Sequence, residues 1–113
     1  MRWKVLIVMA GLLVGCSVSE EGSLITTPRD GETVKGVVSI VVSPPPTMVV
    51  DRIELFVNNT LTATLNGNTS QSYTYEWDTT VLQNGVYTIR ARVFDVDGQM
   101  KEQAIQVTIA NLV

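Results

Sequence analysis

The chain of 113 residues has no histidine and a single cysteine, Cys16. The first absence removes the commonest general base and the commonest transition-metal ligand together. The second excludes an intrachain disulfide. Basic residues are few: setting aside Arg2 and Lys4 in the N-terminal segment leaves six against eleven acidic residues, a net charge of −5. No basic cluster exists, so the electrostatic footprint of nucleic-acid binding is missing and no nucleic-acid partner is expected. There is also no long apolar run. Val5–Val14, interrupted only by Gly11, is the longest, and its ten residues as helix reach roughly 15 Å, half of a ~30 Å hydrocarbon core. A phosphate-cradling glycine loop and a carboxylate pair set in an evident pocket are lacking too. The expectation is a non-enzyme with no cofactor.

The first fifteen residues, MRWKVLIVMAGLLVG, carry two positive charges ahead of the short apolar run. That is the build of an export signal. Leu13-Val14-Gly15-Cys16 resembles the lipobox of bacterial lipoproteins. The resemblance implies a thioether from Cys16 to diacylglycerol, cleavage after Gly15, and a membrane partner reached through that lipid. The competing reading is an ordinary secretory signal with a leftover thiol, but an unpaired cysteine is a liability in an oxidising compartment. Ser17 is not aspartate, which in the lipoproteins of diderm bacteria favours the outer membrane; elsewhere the outer face of the cytoplasmic membrane is expected. Residues 17–23, small, polar and acidic, read as a tether between Cys16 and a domain over 24–113.

From residue 24 onward apolar residues recur at every second position in short runs separated by Gly, Pro, Asn and Asp, which predicts strands. Seven runs are predicted, at about 24–27, 34–42, 50–57, 60–65, 72–77, 86–94 and 101–109. Pro44-Pro45-Pro46 ends the second, since proline cannot donate to a ladder, and reads as a stiff polyproline loop. Ile53, Leu55 and Val57 share one face, with Arg52, Glu54 and Phe56 on the other. Tyr87, Ile89, Ala91 and Val93 likewise oppose Thr88, Arg90, Arg92 and Phe94. An isolated antiparallel sheet would leave its apolar face wet, so two sheets must close on each other.

Asn84-Gly85-Val86-Tyr87 fits a tyrosine corner. With the Pro28-Arg29-Asp30-Gly31 opening and Trp77-Asp78-Thr79, residues 25–109 resemble bacterial Ig-like domains. The resemblance implies an all-β, seven-stranded immunoglobulin-like β-sandwich with Greek-key topology. Such modules do many jobs, so it implies little about function. Inward residues of the last two strands are all odd-numbered, so their connection must hold an odd number of residues. A three-residue Val96-Asp97-Gly98 loop with Gly98 left-handed is expected. The parity of the Asn58-Asn59 turn is open; a type I′ turn would put Leu61 beside Phe56 on the outer face.

Four sites are candidates. Phe56, Phe94, Glu54, Arg90 and Arg92 point outward and form a possible interaction face, with Glu54 expected opposite Arg90 and ion pairs between two exposed phenylalanines. Tyr73, Tyr75 and Trp77 share one side of a strand and could stack sugars, though core packing is the favoured reading. Asp95 and Asp97 flank a turn and could supply half a calcium site, but the Asp-x-[Asp/Asn]-x-[Asp/Asn]-Gly loop is missing and turn aspartates bond locally, so no metal is expected. The Asn-x-Thr/Ser matches at Asn58 and Asn68 are expected to be chance. The expected function is a lipid-anchored, non-catalytic cell-envelope module for protein interaction, adhesion or structural support. The alternatives are a carbohydrate-binding module holding glycan, and an accessory subunit of an envelope complex.

Overall fold

The computed structural model describes residues Leu24–Asn111. The export segment 1–15, the lipidation candidate Cys16 and the tether 17–23 lie outside the described residues.

Among the described residues, alternation of apolar and polar side chains produces eight strands: β1 (Ile25–Thr27), β2 (Thr33–Val34), β3 (Val37–Val42), β4 (Val50–Val57), β5 (Thr60–Asn66), β6 (Tyr73–Asp78), β7 (Gly85–Asp95) and β8 (Met100–Ile109). A single turn of 3-10 helix, Thr79–Val81, follows β6. One sheet has the order β1-β3-β6 and the other β2-β8-β7-β4-β5. The chain crosses between the sheets after β1, β2, β3, β5 and β6, giving the Greek-key sandwich. The expected strand over 34–42 is in two pieces, so the count is eight rather than seven. Gly36, with φ 68°, breaks the run; β2 pairs parallel with β8, whereas β3 pairs antiparallel with β1 and β6 in the opposite sheet.

The two apolar faces meet as the periodicity requires. Ile40, Val42 and Trp77 from the smaller sheet pack with Ile53, Leu55, Ile89, Ala91, Val93, Ile105, Val107 and Ile109 from the larger, all buried. Trp77 and Tyr87 meet across the sandwich edge-to-face, ring centroids 6.3 Å apart. The tyrosine corner is formed: the Tyr87 hydroxyl donates to the Gln83 carbonyl at 2.6 Å.

Local turn chemistry fixes the ends of the strands. The β7–β8 loop is Val96-Asp97-Gly98, as parity expects: the Asp95 amide donates to the Gln99 carbonyl at 2.9 Å, and Gly98 has φ 89°. Between β4 and β5, Asn58 and Asn59 have φ of 50° and 69°, the signs of a type I′ turn. Leu61 then pairs with Phe56 on the outer face, and a register shift lets Ala63 pair with Leu55 on the inner one. Thr62 is the extra residue of that bulge.

Polar side chains lock both ends of the sandwich. At one end the Gln103 Oε1 accepts from the amides of Leu24 and Ile25, each at 2.7 Å, tying β1 to the opposite sheet. At the other, Asn111 Oδ1 accepts from Gly36 N at 2.7 Å while its Nδ2 donates to the carbonyl of buried Thr79 at 3.0 Å. Asn84 completes the clamp, accepting from Asn111 N at 2.9 Å.

Candidate functional site

The outward side of β5-β4-β7-β8 carries Arg52, Glu54, Arg90, Arg92 and Glu102 together with both phenylalanines of the domain. The cross-strand pairs are Phe56 with Arg90, Glu54 with Arg92, and Arg52 with Phe94. The expected pairing of Glu54 with Arg90 is therefore displaced by two residues. A two-residue slip keeps every side chain on its face, so the parity argument fixed the faces without fixing the register. Core packing of Ile53 against Val93 and Leu55 against Ala91 sets it instead.

In the observed register neither phenylalanine is bare. The Arg52 guanidinium carbon lies 4.0 Å from the centroid of the Phe94 ring, and that of Arg92 lies 4.9 Å from the centroid of Phe56. Both rings are half-buried beneath these cations, a favourable arrangement of positive charge over a π face. Glu102 of β8 joins the cluster, accepting from Arg90 Nη1 at 2.8 Å and from Arg92 Nε at 3.3 Å. The Arg90 hydrogen bond holds the Glu102 carboxyl below its ordinary pKa, and Arg92 adds to the effect. Glu54 pairs with Arg52 at 3.2 Å, on its own strand rather than with Arg90. Sequence reasoning did not single out Arg52 or Glu102.

Apolar area remains at two corners of this face. Leu61, 52% exposed, sits beside Phe56; Met100, 45% exposed, sits beside Phe94. The surface is thus a charged belt of arginine and glutamate between two apolar patches, each an aromatic ring with an aliphatic neighbour.

The aromatic strand β6 supplies no sugar-stacking ladder. Tyr73 and Trp77 are core residues, 5% and 4% exposed, and only Tyr75 is half-open. The open edge between β5 and β6 leaves a shallow groove of about 500 Å³ walled by Val57, Tyr75, Trp77, Val81, Leu82 and Tyr87 among others.

Asp95 is committed to its turn: its Oδ1 accepts from the amides of Asp97 and Gln99 at 2.9 and 2.8 Å. Asp97 is exposed. Among the described residues no three acidic or cysteine side chains converge on a possible metal position. A second cleft, of about 350 Å³, lies between Pro44-Pro45-Pro46 and the 68–71 loop.

The family model described as bacterial Ig domain matches residues 24–91. No curated protein matches the chain in sequence. Among solved structures, an endo-β-1,4-mannanase from Thermotoga petrophila aligns with TM-score 0.64 and 15% identity, over 79% of this chain and 19% of that one. Fibronectin(III)-like modules of Clostridium thermocellum CbhA align with TM-score 0.61 and 17% identity, over 80% of this chain and 96% of theirs. CopC from Methylosinus trichosporium OB3b aligns with TM-score 0.55 and 16% identity, over 80% and 95%. The chain spans about a fifth of the mannanase and nearly all of the other two. At these identities the likeness is one of fold.

Proposed function

The chain belongs to the bacterial Ig domain family, and from that premise we propose that it is a non-catalytic protein-interaction module, held at the cell envelope by lipid on Cys16. The observation that carries the interaction reading is the outer face of β5-β4-β7-β8. Arginine and aromatic residues are the types that dominate binding energy at interfaces. Here Arg52, Arg90 and Arg92 are held in place by Glu54, Glu102 and two phenylalanine rings. A partner docking there meets side chains already ordered, which lowers the entropic cost of association. The anchor rests on the lipobox resemblance of Leu13–Cys16 and on the export signal before it.

The glycan reading loses its main support with Tyr73 and Trp77 in the core, because stacking needs exposed, coplanar rings. A family fold of this kind, filled by its own side chains, supports a binding role over a catalytic one.

Affinity capture from envelope extract tests the assignment. The wild-type domain is expected to retain a partner that Phe56→Ala and Phe94→Ala each release, with both variants still folded by circular dichroism. Identical captured proteins for all three would remove this face from the account.

A further inference from the structure

We infer that the end of the sandwich formed by the β3–β4 and β7–β8 loops rests against the bilayer, with Pro46, Val49, Val96 and Met100 in contact with lipid. The inference rests on the reading of Cys16 as the lipid anchor and says which surface the anchored domain turns to the membrane.

Chain geometry selects the end. The described chain begins at Leu24, whose carbonyl accepts from Ser43 N at 2.7 Å at the start of the β3–β4 loop. Seven residues, 17–23, separate it from Cys16, and fully extended they reach about 23 Å. Strand β7, eleven residues long, spans about 36 Å at ~3.3 Å per residue. The opposite end, with Val86 and the Asn58-Asn59 turn, is therefore out of reach of the bilayer when the domain stands upright on its anchor.

The near end carries apolar side chains at its tip. Val49 is 65% exposed, Val96 is 60% exposed, and the Val96 amide donates to the Val49 carbonyl at 2.9 Å, so the two loops form one surface. Pro46 is exposed beside them, and Met100 lies one step along the strand from the β7–β8 turn. Asp97 is the charged residue of the β7–β8 loop itself; Asp51 is ion-paired with Arg52 at 3.0 Å, and Arg52 and Lys101 lie at or next to the level of Met100, so this end has no net positive charge. Contact is thus apolar and shallow, and independent of attraction to anionic headgroups.

The test uses the full-length protein, purified with its lipid from a host that processes lipoproteins and reconstituted in phosphatidylcholine vesicles. With Cys16 capped as a thioether, Val96→Cys, Val49→Cys and Val86→Cys each present a single thiol for an environment-sensitive fluorophore. All three positions are exposed, and circular dichroism checks each variant's fold. The labels at 96 and 49 are expected to shift to the blue and to lose most of their intensity when the vesicles carry lipids with a nitroxide near the headgroup. The label at 86 is expected to do neither. Protein that floats with the vesicles while all three labels behave alike would overturn the inference and leave the anchor standing. Protein that does not float would overturn both.

Discussion

Asp95, a candidate metal ligand set aside in the sequence, is a structural acceptor. Its carboxylate takes two backbone amides of its own turn and is 9% exposed. Replacement by alanine removes the acceptor of both amides; Asp97 and Gln99 are exposed and water can take its place in part, so the expected cost is about 1 kcal/mol. Asp95→Ala is expected to lower the unfolding free energy by that amount, read as a lower urea midpoint at unchanged slope, and added calcium is expected to leave the wild-type melting temperature unchanged. A calcium-dependent rise would restore the metal reading.

Glu102 belongs to the same scale. Its carboxyl pKa is lower in the folded chain than in the unfolded one, chiefly through Arg90. Its contribution is complete above the unfolded value and is lost as pH falls through the folded value. Wild type is therefore expected to lose stability between about pH 5 and 3 slightly faster than Glu102→Gln. The difference is small, because the Glu102 side chain is 29% exposed and surface pairs are screened by solvent and salt. Urea titrations of both proteins across that range check the sign.

At the scale of strands and turns, what was legible was whatever the chain repeats locally. Alternation placed Ile53 and Leu55 inside and Glu54 and Phe56 outside, and parity gave the Val96-Asp97-Gly98 loop. The Gly36 break carried a signal, since glycine inside a strand run marks a bend or close approach. The pairing of β4 with β7 was expected, with Glu54 opposite Arg90, but its register was not legible, because those strands are far apart in sequence and core packing chooses it. Nor was Gly67 readable: a Cβ there would lie 1.9 Å from the Val50 carbonyl oxygen, a contact only the folded chain creates.

The polar clamps were equally hidden. Asn111 joins Gly36, Thr79 and Asn84, residues 27 or more positions away in the chain, and nothing in its neighbourhood of sequence marks it. Asn111→Ala opens the far end of the sandwich by removing the acceptor for Gly36 N and a donor to the Thr79 carbonyl. The expected cost is about 1–3 kcal/mol, read as a lower urea midpoint with an unchanged slope. An unchanged midpoint would mean that water replaces the clamp without loss.

At the scale of the whole molecule, the sandwich and the anchor have different standing in sequence. Two sheets follow from ninety residues of alternating pattern. The outer face of β5-β4-β7-β8 was legible as a set of outward residues, Phe56, Phe94, Glu54, Arg90 and Arg92, but not as an arrangement. The contacts by which Arg52 and Glu102 order that face emerge only when β4, β7 and β8 are side by side. The lipid, by contrast, rests on four residues at the end of an export signal, and every statement about envelope location follows from it. The most direct measurement is the intact mass of the protein extracted from the membranes of its native host. The mass predicted is that of a chain beginning at Cys16 and carrying diacylglycerol on its sulfur. A chain with Cys16 unmodified, or one that begins elsewhere, would contradict the account.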